Sequence, residues 1–194
     1  MNVKTIIAAA SFAVITTGAQ AQNELLIVDL SVADTITITA GSGVSAADSV
    51  GSNFTGVLLE NFFDGPLGVT LASTLVSGDL NTVADGGASD GSPSLFGLAG
   101  NAGLNIWSFS FGTPSFVAGT AGFSGSGTWT TDSATYNSVF ALGARTGDIY
   151  NPADTDDDIA GADLIGTYSV VVPSPAAFSL MGLGLGLGAA RRRR

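Results

Sequence analysis

Short runs of strand length, separated by turn residues, fill the chain from residue 24 to residue 172. Thr35, Ile36, Thr37, Ile38 and Thr39 alternate polar and β-branched apolar side chains, the period of a half-buried strand. Residues 24–30 form an apolar run of the same length, and residues 57–59 lead through Phe62 and Phe63 to the turn Asp64-Gly65-Pro66. Further strands are expected over 69–76, 104–111, 138–142 and 163–172, with 115–123 and 127–131 as a hairpin. In the 104–111 run, Trp107, Phe109 and Phe111 share one face and Ser108 and Ser110 the other. Residues 81–94 and 148–158 read as long loops, and no helical apolar stripe occurs before Pro175. About nine strands with frequent turn signals and no fixed-period repeat point to an all-β fold. An antiparallel β-sandwich, of which a jelly roll is one form, is expected ahead of a single-sheet barrel.

Two segments fall outside this pattern. At the N-terminus, Lys4 precedes a ten-residue apolar run over 6–15, and Ala19-Gln20-Ala21 has the small-x-small form of a cleavage site. As a helix that run spans ~15 Å, half of a hydrocarbon core. Residues 1–21 therefore read as a secretory signal peptide, removed by signal peptidase before Gln22. At the C-terminus, Val172-Pro173-Ser174-Pro175 leads into an apolar stretch over 178–190 and then Arg191, Arg192, Arg193 and Arg194. Ser174 suits an N-cap and Pro175 the first helical position. A helix over 175–190 would measure ~24 Å against a ~30 Å core. Gly182, Gly184, Gly186 and Gly188 weaken it by up to ~1 kcal/mol each. Such a segment suits transient inner-membrane anchoring, with the arginines held on the cytoplasmic side and the rest of the chain outside. The chain thus divides into a signal peptide (1–21), a β body (22–171) and a C-terminal signal (172–194).

Without its ends the chain has an extreme charge balance. All 16 acidic residues lie between Glu24 and Asp163, and Arg145 is the one basic residue among them, a formal charge of −15. Such a body repels nucleic acid and anionic lipid, so no nucleic-acid partner is expected, and it attracts divalent cations. The chain has no Cys and no His, and its single Lys lies in the export signal. Disulfides, Ser-His triads, Cys nucleophiles, Schiff bases and His-ligated zinc are therefore excluded from the body. Carboxylate chemistry remains, as in a small glycosidase, but nothing brings the two glutamates, Glu24 and Glu60, together. The body reads as non-enzymatic.

Two local features could hold a ligand. Asp154, Asp156, Asp158 and Asp163 alternate with small residues in a Gly-containing loop, a donor pattern for calcium, the one cofactor candidate. This is no EF-hand, because Ile159 and Ile165 occupy the places of the turn Gly and the bidentate Glu. The alternative is a solvated acidic loop. Trp107, Trp129, Tyr136 and Tyr150 supply aromatic faces for a sugar platform or, alternatively, for the core.

The order of Val172-Pro173-Ser174-Pro175, apolar stretch and Arg191 to Arg194 resembles the PEP-CTERM sorting signal, with Ser174 where that family usually has Glu. The resemblance covers residues 172–194. It implies recognition and cleavage by an exosortase, a membrane cysteine protease of certain Gram-negative bacteria. It further implies delivery to the cell surface or the medium, often in a setting of exopolysaccharide, which becomes a candidate partner. The leading expectation is an exported surface or extracellular-matrix protein. A carbohydrate- or calcium-dependent binding module and a carboxylate-dependent glycosidase are the alternatives.

Overall fold

The computed structural model describes residues 23–51, 56–83, 93–107, 115–153 and 157–172. The expected signal peptide with Ala19, Ala21 and Gln22 lies outside the described residues, as do Asp154, Asp156 and the tail from Pro173 through Ser174 and Pro175 to Arg194. Among the described residues no helix is long and apolar enough to cross a membrane.

The elements run in the order β1 (Glu24–Asp29), β2 (Thr35–Ala40), β3 (Ser49–Val50), β4 (Gly56–Leu59), β5 (Ser73–Gly78), β6 (Asn81–Thr82) and β7 (Ser94–Phe96). They continue with β8 (Leu104–Trp107), β9 (Ser115–Phe116), β10 (Phe123–Ser124), β11 (Ser126–Thr131), α1 (Ser133–Phe140), β12 (Arg145–Ala153) and β13 (Asp163–Val171). The fold is all-β, as expected, but the two-sheet antiparallel sandwich is not what forms. Nine strands join one sheet in the order β5-β11-β2-β1-β13-β12-β4-β8-β7. The sheet is mixed, because β1 and β13 run parallel, with Val28 opposite Val170. It curls until it is nearly barrel-shaped. Its two edge strands approach where the Ser73 hydroxyl donates to the Leu95 carbonyl at 3.3 Å. Trp129 on β11 spans the same seam, its indole N–H donating to the Pro93 carbonyl at 3.1 Å.

Alternation explains which side chains fill the interior. Ile36 and Ile38 on β2, Trp129 on β11, Val28 on β1 and Tyr168 and Val170 on β13 are all buried in one cluster. Each fully buried Leu, Ile or Val contributes about 1.5–3 kcal/mol relative to exposure, so the core supplies the main favourable term. One end is covered by the small pairs β3–β9 and β6–β10, with the Phe116 and Phe123 rings 5.3 Å apart. The other end is plugged by α1. Asp132 caps this helix, its carboxylate accepting from the Thr135 amide at 2.9 Å and the Thr135 hydroxyl at 2.7 Å. The Thr135 hydroxyl and then its amide hold the Asp132 carboxyl below the usual carboxylate range. Thr135, Tyr136 and Val139 face inward, and the Tyr136 hydroxyl donates to the Leu30 carbonyl at 2.6 Å.

Several local expectations change. The strand expected over 138–142 is largely helix, because an Asp N-cap and two inward apolar residues suffice for eight residues held by tertiary contacts. Residues 115–131 form no hairpin: β9 pairs with β3, β10 with β6, and β11 with β2 and β5. The loop expected over 148–158 begins instead as β12, between β13 and β4, burying Ile149, Asn151 and Ala153. Of the run 104–111, the described part is β8.

Gly147 marks the tightest approach in the sheet. It lies opposite Tyr168, and a Cβ there would sit 2.5 Å from the buried ring. Gly147→Ala is expected to destabilise the protein by about 1–3 kcal/mol through overpacking. Gly68→Ala, where a Cβ meets nothing within 4 Å, is expected to be neutral or stabilising by up to ~1 kcal/mol. Urea unfolding midpoints of the two variants check the contrast.

Candidate functional site

Arg145 organises the plugged end. It opens β12 directly below α1, and its guanidinium turns inward rather than toward the acidic surface. One terminal nitrogen donates to the Val139 carbonyl at 3.2 Å and the Gly143 carbonyl at 3.1 Å, and the other to the Phe62 carbonyl. Val139 and Gly143 lie in and just beyond the last turn of α1, where a cation is also favoured by the helix dipole. The guanidinium carbon stands 5.8 Å from the centre of the Phe62 ring. Phe62 packs edge-on against Phe63 at 5.2 Å and tilted against Tyr168 at 5.9 Å. The Arg145 Nε is buried without a hydrogen-bond partner among the described residues. Burial lowers the Arg145 pKa from its usual value, yet a guanidinium stays charged.

Beside this pin opens a cavity of about 420 Å³, lined by Glu60, Asp148, Tyr168, Arg145, Phe63 and Leu142 among others. Glu60 and Asp148 are cross-strand neighbours, the Glu60 amide donating to the Asp148 carbonyl at 3.0 Å. The Tyr168 hydroxyl donates to the Glu60 carbonyl at 2.8 Å. Burial pushes the Tyr168 phenol up to about 12; Arg145 opposes this, and Glu60 and Asp148 reinforce it. The phenol is therefore a fixed hydrogen-bonding group at neutral pH. The cavity lining mixes the acidic residues Glu60 and Asp148 with the apolar Phe63 and Leu142.

The sequence-derived candidates distribute differently. Glu24 begins β1 and Glu60 follows β4, with β13 and β12 between those strands, so the two glutamates do not face each other. Trp129 and Tyr136 are buried in the core, which removes them from a sugar platform. Tyr150 is half-buried on β12. Of the calcium candidates, Asp158 accepts from the Ala160 amide at 2.8 Å and Asp163 is exposed at the start of β13. Among the described residues no group of three or more acidic side chains is placed to hold a metal ion. The neighbouring Asp157 has a structural task. In a left-handed conformation (φ 57°), one of its oxygens accepts from the Ala102 and Gly103 amides at 2.9 and 2.8 Å. This pins the acidic loop to the segment leading into β8. Val172, first residue of the expected sorting motif, is half-buried and packs against the core.

Sequence reasoning missed Arg145 and the buried Asn151. The Asn151 amide donates to the Ser49 hydroxyl at 2.9 Å, and that hydroxyl donates to the Asn151 carbonyl at 2.7 Å. The one available signal was the isolation of Arg145 among sixteen carboxylates.

Comparison with known proteins finds no family model, no curated protein and no solved structure that matches the chain.

The three tyrosines give the site a pH signature. Burial raises the pKa of Tyr136, with Asp34 and Asp29 adding to it, and of Tyr150, with Glu60 and Asp148 adding to it. For Tyr168, the unfolded chain releases its proton near pH 10 while the folded chain holds it to about 12. The native state binds more protons in that window, so stability present below pH 10 is lost as pH rises toward 12. The Tyr168 contribution is on the order of 2–3 kcal/mol. Melting temperatures are expected to fall across this window, and Tyr168→Phe to flatten the fall. A phenolate absorbance titration should show ionisation delayed relative to the urea-unfolded chain.

Proposed function

We propose that this chain is an exported, non-enzymatic surface or extracellular-matrix protein of a Gram-negative bacterium, processed at both ends. Signal peptidase removes residues 1–21. The segment from Val172 to Arg194 then acts as a PEP-CTERM-type sorting signal, held briefly in the inner membrane and cut by an exosortase. The acidic β body passes to the cell surface or the medium, where exopolysaccharide is its candidate partner.

The observation that carries this reading is where the β body ends. The last strand closes at Val171, and Val172 packs on the core as the first residue of the Pro motif. Among the described residues, the sheet and both of its covered ends lie between Asn23 and Val172, which agrees with processing at both flanks. The charge map agrees: processing removes Lys4 and the four terminal arginines and leaves Arg145 as the one basic side chain, tied to carbonyl oxygens. The non-enzymatic assignment rests on the inventory, since the body has no His, Cys or Lys and its two glutamates lie apart.

Intact-mass analysis of the protein recovered from a host with a matching exosortase tests the proposal. A species starting at Gln22 and ending close to Val172 is expected. A species that retains the four arginines would refute the sorting assignment, and one that retains residues 1–21 would refute export by this signal.

A further inference from the structure

The curled sheet ends on two unequal edges. β7 is three residues long and its central Leu95 is buried. β5 is six residues long, and Thr74, Leu75, Val76, Ser77 and Gly78 are all exposed. Its ladder partner is β11 on one side, and among the described residues its other side carries no ladder. The seam to β7 is bridged at the Ser73 end. Leu75 is 43% and Val76 60% exposed. Edge strands are ordinarily protected from pairing by charge, proline or covering structure. This one has neither charge nor proline, and no ionisable residue occurs from Gly65 to Gly78 in a body that carries −15 overall.

We propose that β5 is a self-association edge, which pairs antiparallel with β5 of a second copy about a two-fold axis near Leu75 and Val76. Charge selects this occupant and this orientation. Two strongly acidic copies repel across most of their surfaces and approach at least cost where no carboxylate stands. A cationic partner would settle elsewhere, on the acidic faces. Asp79 directly follows β5 and is exposed. Antiparallel pairing puts the two copies of Asp79 at opposite ends of the ladder, roughly 20 Å apart at about 3.4 Å per residue. Parallel pairing would set them side by side. The contact is isologous, so it closes at the dimer. Two six-residue strands cover too little surface for a permanent dimer, and the association is weak and salt-dependent. Screening shortens the reach of the repulsion to about 8 Å at physiological ionic strength, so salt promotes pairing.

The absence of native cysteine allows a direct test in the full chain. Single variants Leu75→Cys and Val76→Cys test the two registers, because the residue on the axis faces its own copy with Cβ atoms about 4.5–5.5 Å apart, close to disulfide distance. Val50→Cys, more exposed than either and on the separate β3–β9 pair, is the control. Oxidation is expected to yield at least about tenfold more cross-linked dimer at 75 or 76 than at 50. The yield should rise between low and moderate salt and fall to the control level when Thr74→Lys is added. Circular dichroism of Thr74→Lys, an exposed position, verifies the fold. Equal yields at all three positions, or a yield at 75 and 76 that Thr74→Lys leaves unchanged in a folded protein, would overturn the proposal. Neither result depends on whether the tail is cut, since all variants carry the same tail.

Discussion

The parallel ladder between β1 and β13 holds the rest of the structure together. These strands begin and end the β body, and they meet at the middle of the nine-stranded sheet. On the β1 side lie β2, β11 and β5, and on the β13 side lie β12, β4, β8 and β7. Without β13 the two halves share no ladder among the described residues, and their edges approach at the β5–β7 seam. Leu26, Val28, Tyr168 and Val170 put their side chains into the same core from this central pair. Contacts of such long sequence separation are the slowest to form, because loop closure is paid before they return anything. The body therefore completes its sheet only when residues 163–171 are available. In the proposed function these are also the residues next to the sorting motif, so folding and presentation of that motif finish together.

The second constraint is charge. Sixteen carboxylates spread over a small body with a single guanidinium favour expansion, and burial of apolar surface has to offset that repulsion. The guanidinium is not spent on surface neutralisation. It closes the end of α1, holds the Phe62 carbonyl and covers an aromatic group. Carboxylates are likewise used as local acceptors for backbone amides: Asp132 at the helix start, Asp157 over the Ala102 and Gly103 amides, and Asp48 for the Ala118 amide. Much of the acidity thus serves as turn and cap chemistry.

The strands that were legible in the sequence are those with β-branched alternation or a continuous apolar or aromatic run: β1, β2, β4, β8, β11 and β13, with part of β5. In β2 and β11 the buried positions alternate with the period of a strand. β12 was hidden because Gly147, Asp148, Asn151 and Pro152 carry the composition of a loop. What makes it a strand lies far away in sequence. The Tyr168 ring fills the space over Gly147, and Ser49 satisfies Asn151. The helix was hidden because its apolar face comprises Tyr136 and Val139, too few to show a period. The single curled sheet in place of a sandwich follows from strand order. Order depends on which edges meet after closure, a property that no local pattern encodes. The same limit applies to the cavity beside Arg145, whose Glu60 and Asp148 are brought together by the β4–β12 ladder. The residues behind the proposed sorting signal, by contrast, are local in sequence.

Native-state hydrogen exchange tests the central role of the β1–β13 ladder most directly. If the account is right, amides of Leu26, Val28, Tyr168 and Val170 exchange only through global unfolding and with the full denaturant dependence of that transition. Amides at the outer side of β5 in dilute protein exchange orders of magnitude faster by local opening. Equal protection across β5, β1 and β13, or exchange of the central pair by opening well below the global free energy, would contradict it.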